Sequence, residues 1–282
     1  MTKRYKLLDV LQVVNLPKSV YFYWMNQMKK ENPDKEIEEI IQSVFEENHG
    51  NYGYRRIHLT LRNRGYFVNH KKVSRIMRKL GIQCVKFFHK SRKYRSYKGD
   101  VGKVAENRIR RRFSTPIAYQ KLATDITEFQ YGNGQKLYLN PMMDLFNREI
   151  LSFEIGKRPN LAFVMKPLER ALARIRGAKY RTTIHSDQGW HYQHAKWVRL
   201  LKENKIFQSM SRKGNCLDNS PMENFFGLLK QEIYFGVKYE TYEQLKTAID
   251  QYIYYYNHKR IKQKLAGMSP VQYRIHSNQY IA

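Results

Sequence analysis

The sequence predicts an α/β protein: a core built on a mixed five-stranded sheet flanked by helices, preceded by a helical region. Three observations predict it. Up to about residue 80 the apolar residues recur at helical spacing. From Lys121 onward, short apolar runs separated by turn signals give way to alternating strand and helix patterns. Charge sets the two regions apart, because residues 51–121 hold 21 basic and only 2 acidic side chains.

The elements follow in order. Residues 7–14 and 18–30 read as two short helices around Asn15-Leu16-Pro17-Lys18, a weak helix-turn-helix pattern. A third helix, 35–48, aligns Ile37, Ile40, Ile41, Val44 and Phe45 on one stripe and turns its glutamates away. Residues 54–64 and 70–80 form a clearer pair. Gly65 closes the first, Asn69 is placed to cap the second, and Gly81 stops it. The second helix turns Val73, Ile76, Met77 and Leu80 inward, and Lys71, Lys72, Arg75, Arg78 and Lys79 outward, as a recognition helix requires. An ordinary helical hairpin with a solvated basic face has the same pattern. Residues 86–112 interleave Arg92, Lys93, Arg95, Arg110, Arg111 and Arg112 with Phe87, Phe88, Tyr94 and Tyr97. That composition suits an arm lying along phosphates and bases, or a linker that is merely basic. Strands are expected at 122–129, 137–146, 150–155, 182–186 and 206–209, with Asn133-Gly134 as a hairpin turn. Helices are expected at 161–175, at 194–203, from Pro221 and at 241–257, the last followed by a basic tail. The domains expected are 1–48, a helix-turn-helix-like region; 49–83, a second helix-turn-helix; 84–113, a basic arm; 114–238, the core; and 239–282, a C-terminal helix and tail.

The net charge of the 282 residues is +28. A field this positive suits a polyanion, nucleic acid first, with the ribosome or an anionic membrane surface as other possibilities. No apolar run reaches the ~18 residues of a membrane span. Lys3, Arg4 and Lys6 precede Leu7 and Leu8, but Asp9, Gln12 and Asn15 interrupt the would-be signal sequence. The chain therefore reads as soluble, cytoplasmic and nucleoid-associated. Two cysteines, Cys84 and Cys216, are too few for a disulfide framework or a cysteine zinc site. Nucleotide-binding glycine loops and His-Glu-x-x-His are absent from the sequence. His185, His191 and His194 cluster, but histidines beside aromatic residues more often pack or hydrogen-bond, so neither zinc nor a nucleotide cofactor is expected.

Three carboxylates stand in settings where a carboxylate needs a partner. Asp125 lies within Leu-Ala-Thr-Asp-Ile-Thr, Asp187 ends the strand Thr183-Ile184-His185-Ser186, and Glu223 opens the helix after Pro221. Hard oxygen donors converging from two strands and a helix suit two Mg²⁺ (or Mn²⁺) ions, which could activate an attacking oxygen and stabilise a leaving one. Each also has a plainer role. Asp125 could pair with a neighbouring cation, Asp187 could cap the turn before Gly189, and Ser220-x-x-Glu223 is a capping-box pattern.

Thirty-five residues separate Asp187 from Glu223, and Asp125 stands sixty-two positions before Asp187. This arrangement resembles the DDE transposase and retroviral-integrase core, whose fold is ribonuclease H-like. Thr124-Asp125-Ile126-Thr127, Met143-Asp144-Leu145-Phe146-Asn147-Arg148, His185-Ser186-Asp187-Gln188-Gly189 and Ser220-Pro221-Met222-Glu223-Asn224-Phe225-Phe226 are similar to words of bacterial insertion-sequence transposases. So is Tyr256-Asn257-His258-Lys259-Arg260 through Leu265, Ser269-Pro270 and Tyr273. The particular similarity is to the OrfB product of elements with overlapping OrfA and OrfB frames. Gly53-Tyr54-Arg55-Arg56-Ile57 fits the helix-turn-helix preceding that core.

The resemblance implies that Asp125, Asp187 and Glu223 hold the metal ions and that Lys230 contacts transposon-end DNA. It implies Mg²⁺-dependent 3′-end cleavage and strand transfer at terminal inverted repeats, through end-joined circular intermediates and without a covalent enzyme–DNA bond. It further implies at least a dimer on DNA, with an OrfA partner or frameshift fusion as a possibility. Asp144 is expected to be structural. Two other functions fit the same residues less well: a DNA-binding regulator with an inactive core, and a ribonuclease H-type nuclease.

Overall fold

The computed structural model describes residues 5–29, 31–84, 104–178, 180–212 and 216–279. Five helices come first: α1 (Leu7–Val13), α2 (Lys18–Lys29), α3 (Lys35–Glu47), α4 (Tyr54–Asn63) and α5 (His70–Lys79). The Asn69 side chain accepts the Lys71 N–H at 2.8 Å and caps α5. Helices α3, α4 and α5 bury Ile41, Val44, Ile57, Leu61, Val73 and Ile76 against one another. The boundary expected between residues 48 and 49 therefore falls inside a single core. A two-helix hairpin of ten-residue helices has too little apolar surface of its own, and α3 supplies the third side.

The core follows in the order β1 (Lys121–Thr124), β2 (Thr127–Tyr131), β3 (Gln135–Asp144), β4 (Ile150–Gly156), α6 (Leu161–Arg174), β5 (Thr183–Ser186), α7 (Trp190–Gln193), α8 (Ala195–Glu203) and β6 (Phe207–Met210). A 3-10 turn (Cys216–Asn219) leads into α9 (Ser220–Leu229), which continues as a π-helical turn (Lys230–Tyr234). Helix α10 (Tyr242–His258), a second 3-10 turn (Gln263–Leu265) and α11 (Pro270–Gln279) complete the chain.

Among the described residues the sheet has six hydrogen-bonded strands in five positions, where the sequence predicts five strands. Strands β1 and β2 pair with the same edge of β3 in one continuous register, Thr124 opposite Met142 and Thr127 opposite Leu139. That register sets Pro141 of β3 opposite Asp125, and the ladder is interrupted there. Proline has no N–H to donate, so the expected single strand over 122–129 splits. The Asn140 side chain bridges the gap, donating from Nδ2 to the Asp125 carbonyl at 2.9 Å. Strand β4 lies antiparallel on the other edge of β3, while β5 and β6 run parallel to β1.

Alternate residues of each strand feed opposite faces. Ala123, Met143 and Ile150 pack with Met222, Phe225 and Leu229 of α9 and with Leu245, Ile249 and Tyr252 of α10. Leu122, Met142 and Leu151 pack on the other face with Val164 and Leu168 of α6 and with Trp197 of α8. Because α10 supplies half of one layer, the boundary expected at residue 239 also falls within a core. Residues 104–113, expected to belong to the arm, are docked on the core. Ile109 is buried, the Arg108 N–H donates to Ser209 Oγ at 3.0 Å, and Asn107 donates to Asp218 at 3.0 Å. Arg92, Lys93 and Arg95 lie outside the described residues.

The C-terminal words interlock with the β3–β4 turn. Asn147 donates to the Pro270 carbonyl at 2.8 Å, and Asn257 exchanges two bonds of 2.9 Å with the Ile150 backbone. Buried Glu149 receives Arg274 at 2.7 Å. Buried Asp144 accepts the N–H groups of Tyr119 and Phe146, both at 3.0 Å, which makes it an anchor for the turn. No helix among the described residues is long and apolar enough to cross a membrane.

Candidate active site

Strand register brings two of the expected carboxylates together. Ala123 pairs with His185 in the parallel β1–β5 ladder, and two residues further along each strand stand Asp125 and Asp187. Adjacent strands lie ~4.8 Å apart, so the side chains leave the sheet as neighbours at its C-terminal edge. Both residues are half-buried. Burial raises Asp125 well above the ordinary carboxylate range, and the Asp187 charge, then that of Glu223, pushes it further. The Ile126 N–H and the Lys230 charge pull the other way. Burial likewise raises Asp187, opposed by the Gly189 N–H at 2.9 Å and by His191. Burial, and then the charges of Asp187 and Asp125, raise Tyr192 well above its ordinary range.

Glu223 stands in the first turn of α9. The helix begins at Ser220 itself with Asn219 as N-cap and no side-chain cap bond, so the capping-box pattern in the sequence is not formed. Instead Asn219 Nδ2 donates to the Thr124 carbonyl at 3.2 Å and ties the start of α9 to the end of β1. Glu223 is exposed, and burial raises it modestly. Lys230 begins the π-helical turn, with Nζ 5.1 Å from the Phe129 ring centre and its charge acting on Asp125.

A supporting network escaped sequence reading. Asn140 Nδ2 lies 2.9 Å from Thr124 Oγ1 and 3.0 Å from the Tyr192 hydroxyl, besides its bond to Asp125. One buried asparagine thereby fixes the strand that carries the first carboxylate. The signal available was an asparagine between Leu139 and Pro141 in an otherwise apolar run. Asp218, whose side chain is fully buried, accepts from Arg212 at 3.0 Å and Arg111 at 2.9 Å, and these partners hold its carboxyl below the usual range.

The three histidines do not converge. His185 bridges Ser209 Oγ and the Asp218 carbonyl, His191 bonds the Pro159 carbonyl, and His194 caps α8. For a divalent cation, Asp125 and Asp187 are a fitting donor pair: two desolvated carboxylates whose mutual repulsion a hard cation would relieve. Glu223 acts on Asp125 electrostatically. No three His, Cys, Asp or Glu side chains among the described residues stand close enough together to form a ligand group.

The remaining expected site residues divide in two. Lys71 and Arg78 are exposed on α5, Arg55 is exposed on α4, and Arg112 is exposed beside the core. Others are engaged by carboxylates: Lys72 and Arg75 with Asp34 at 2.6 Å, Lys79 with Glu38 at 2.6 Å, Arg110 with Glu106 at 2.8 Å, and Arg111 with Asp218. Glu38, one of the α3 glutamates that the sequence sets on the side away from the apolar stripe, and Asp34, the N-cap of α3, lie against α5. Arg56 faces inward, donating to the Asn51 carbonyl at 3.1 Å and standing 3.9 Å from buried Glu232.

Comparison with known proteins agrees with this architecture. An HTH-like domain matches residues 31–90, and integrase core domain models match residues 116–216 and 223–277. The chain is 40% identical over 270 residues to the putative transposase InsK for insertion sequence element IS150 of Escherichia coli (strain K12), covering 96% of this chain and 94% of that one. It is 51% identical over 212 residues to an uncharacterized transposase-like protein of Haemophilus influenzae, covering 74% and 94%. The HTLV-2 integrase catalytic core domain in complex with magnesium aligns with a TM-score of 0.43 and 16% identity, over 56% of this chain and 97% of that one. The mixed sheet is thus an integrase core behind a helix-turn-helix-like unit, and the chain belongs to the insertion-sequence transposases that carry this core, the OrfB type of the IS150 and IS3 elements.

Proposed function

We propose that the protein cleaves the 3′ ends of its own insertion sequence and transfers them by direct phosphoryl transfer, with Asp125, Asp187 and Glu223 as the catalytic carboxylates. The observation that carries this reading is the juxtaposition of Asp125 and Asp187 at the ends of adjacent parallel strands, with Glu223 acting on the first. The three side chains would hold two Mg²⁺ ions, which supply charge stabilisation for a pentacoordinate phosphorus and lower the pKa of an attacking hydroxyl.

The chain's residues divide the remaining work. Asn140 and Asn219 hold the end of β1, so Asp125 keeps its position while negative charge builds on the scissile phosphate. Lys230 sets a positive charge beside Phe129 and Asp125, where it attracts the DNA backbone toward the carboxylates. Lys71, Arg78 and Arg55 face solvent on the helix-turn-helix unit and would hold the terminal inverted repeat. Water attacks first, leaving a free 3′-OH. That hydroxyl then attacks a phosphodiester of the other end, one P–O bond forming as another breaks. Joining the two ends of one strand gives a circular intermediate and requires both ends in one complex, hence at least two copies of the chain. An OrfA product or fusion would act at that assembly step.

The test is incubation of the purified chain with duplexes carrying the element's own ends and Mg²⁺, resolving nicked and joined strands on a denaturing gel. End-specific nicks and joined products that vanish with EDTA are the expected result. Binding without any cleavage would leave a regulator, and cutting of RNA–DNA hybrids regardless of ends would leave a ribonuclease.

A further inference from the structure

Where the C-terminal tail meets the helix-turn-helix unit, cations outnumber their partners. Arg260 and Glu232 form a buried pair, with Arg260 Nη2 2.6 Å from Glu232 Oε1 and Nε 3.0 and 3.1 Å from the two oxygens; the Tyr252 hydroxyl adds a bond of 3.2 Å. That carboxylate is saturated, and Arg56 approaches it only to 3.9 Å. Two further cations belong to this junction: Lys262 sits on Tyr256, and the charge of Arg148 acts on both of them. Lys262 Nζ is 2.6 Å from the Tyr256 hydroxyl and 4.0 Å from the ring centre. Arg148, on the β3–β4 turn, reaches the Phe113 carbonyl at 3.4 Å through Nη2, while its Nη1 is buried without an acceptor among the described residues. Burial and the charges of Arg260, Arg148 and Arg56 push Lys262 well below its ordinary value. Glu232 is the one carboxylate among the strongest charges acting on it.

Desolvated cations call for an anion. Arg148, Lys262 and Arg56 come from three separate elements, and three cations on separate elements suit the several oxygens of a tetrahedral oxyanion better than one planar carboxylate. None of the three is fully closed off from solvent. We propose that Arg148, Lys262 and Arg56 form a phosphate seat between the helix-turn-helix unit and the integrase core. A phosphate held there touches both units at once and fixes their relative position. The phosphate belongs either to a DNA backbone, which rests on the transposase reading above, or to a free phosphate ion.

The test uses the full chain in two arms. In the first, thermal unfolding is followed in sodium phosphate and in sodium chloride at equal ionic strength and pH, for the wild type, Lys262→Met and Arg148→Gln. For a Kd of about 1 mM, 50 mM phosphate raises the wild-type Tm by roughly 5 °C and leaves both variants within ~1 °C of their chloride values. Lys262→Met melts in chloride at or above the wild-type temperature, because it removes a cation without an anion. A wild-type response no larger than that to chloride overturns the proposal. So does a full response in Lys262→Met, or a large drop of its melting temperature in chloride. This arm involves neither DNA nor turnover, so its result is independent of the transposase reading. In the second arm, the salt dependence of duplex binding is compared. A slope of log K against log salt smaller by ~0.9 in Lys262→Met assigns the seat to a DNA phosphate, and an unchanged slope assigns it to the free ion.

Discussion

Replacing either member of the Arg260–Glu232 pair should unfold the protein more readily, and the two replacements should differ. Both side chains are almost wholly inaccessible, at 2% and 0% exposure. Removing one partner of a buried ion pair typically costs about 3–5 kcal/mol, because the other charge is left desolvated. Arg260→Met leaves Glu232 with the Tyr252 hydroxyl and with Arg56 at 3.9 Å, so the loss falls at the lower end, roughly 3 kcal/mol. Glu232→Gln leaves Arg260 facing Arg56 and Lys262 with no carboxylate between them, so the loss reaches about 5 kcal/mol or more. The double variant should recover part of the loss, since two neutral side chains replace a charge pair. Urea unfolding at pH 7, followed by far-UV circular dichroism, measures all four proteins. Equal losses, or a larger loss for Arg260→Met, would refute the view that this junction is over-supplied with positive charge.

Other outcomes follow from the site and its surroundings. Asp187→Asn should abolish cleavage and strand transfer while leaving DNA affinity within about two-fold in a mobility-shift assay; full activity with Mg²⁺ would remove Asp187 from the mechanism. Asn140→Ala should lower the cleavage rate about ten-fold with little change in DNA affinity, since it removes the donor that bridges the strand gap at Asp125. Lys71→Ala and Arg78→Ala should each reduce the salt slope of DNA binding by ~1, and Arg75→Ala by less, because Arg75 already engages Asp34; equal effects would show that the Asp34 contact opens freely. Burial pushes Asp144 up to about 6 from its ordinary 3.8, so its contribution to stability is complete below about pH 4 and fades as pH rises through 6. That displacement corresponds to roughly 3 kcal/mol. In urea unfolding between pH 4 and 7, Asp144→Asn should lose that part of the pH dependence; a slope equal to the wild type would contradict it.

Much of this architecture is legible in the sequence. Helices α3 to α5, the hairpin at Gly134 and the parallel strands follow from apolar spacing and turn residues, which act locally. The carboxylates are legible because each stands at the end of a strand or the start of a helix. Three features are not. The pairing of Asp34 and Glu38 with α5 depends on how two helices face each other, and charge pattern along one helix does not encode that. The inward turn of Arg56 depends on Glu232, 176 positions away in the chain. The break at Asp125 depends on Pro141 lying opposite, which only the strand register reveals. The sequence marks the segment after 257 only as a basic tail; in the fold Asn257, Arg260 and Arg274 bind buried groups, and α11 follows.

The most direct measurement is the position of bound Mn²⁺ in the complex with cleaved end DNA, located by anomalous scattering. The account predicts metal peaks with carboxylate oxygens of Asp125, Asp187 and Glu223 at about 2.0–2.2 Å, Glu223 having rotated inward from its exposed position. Metal bound without Glu223, or held elsewhere on the chain while cleavage proceeds, would contradict it.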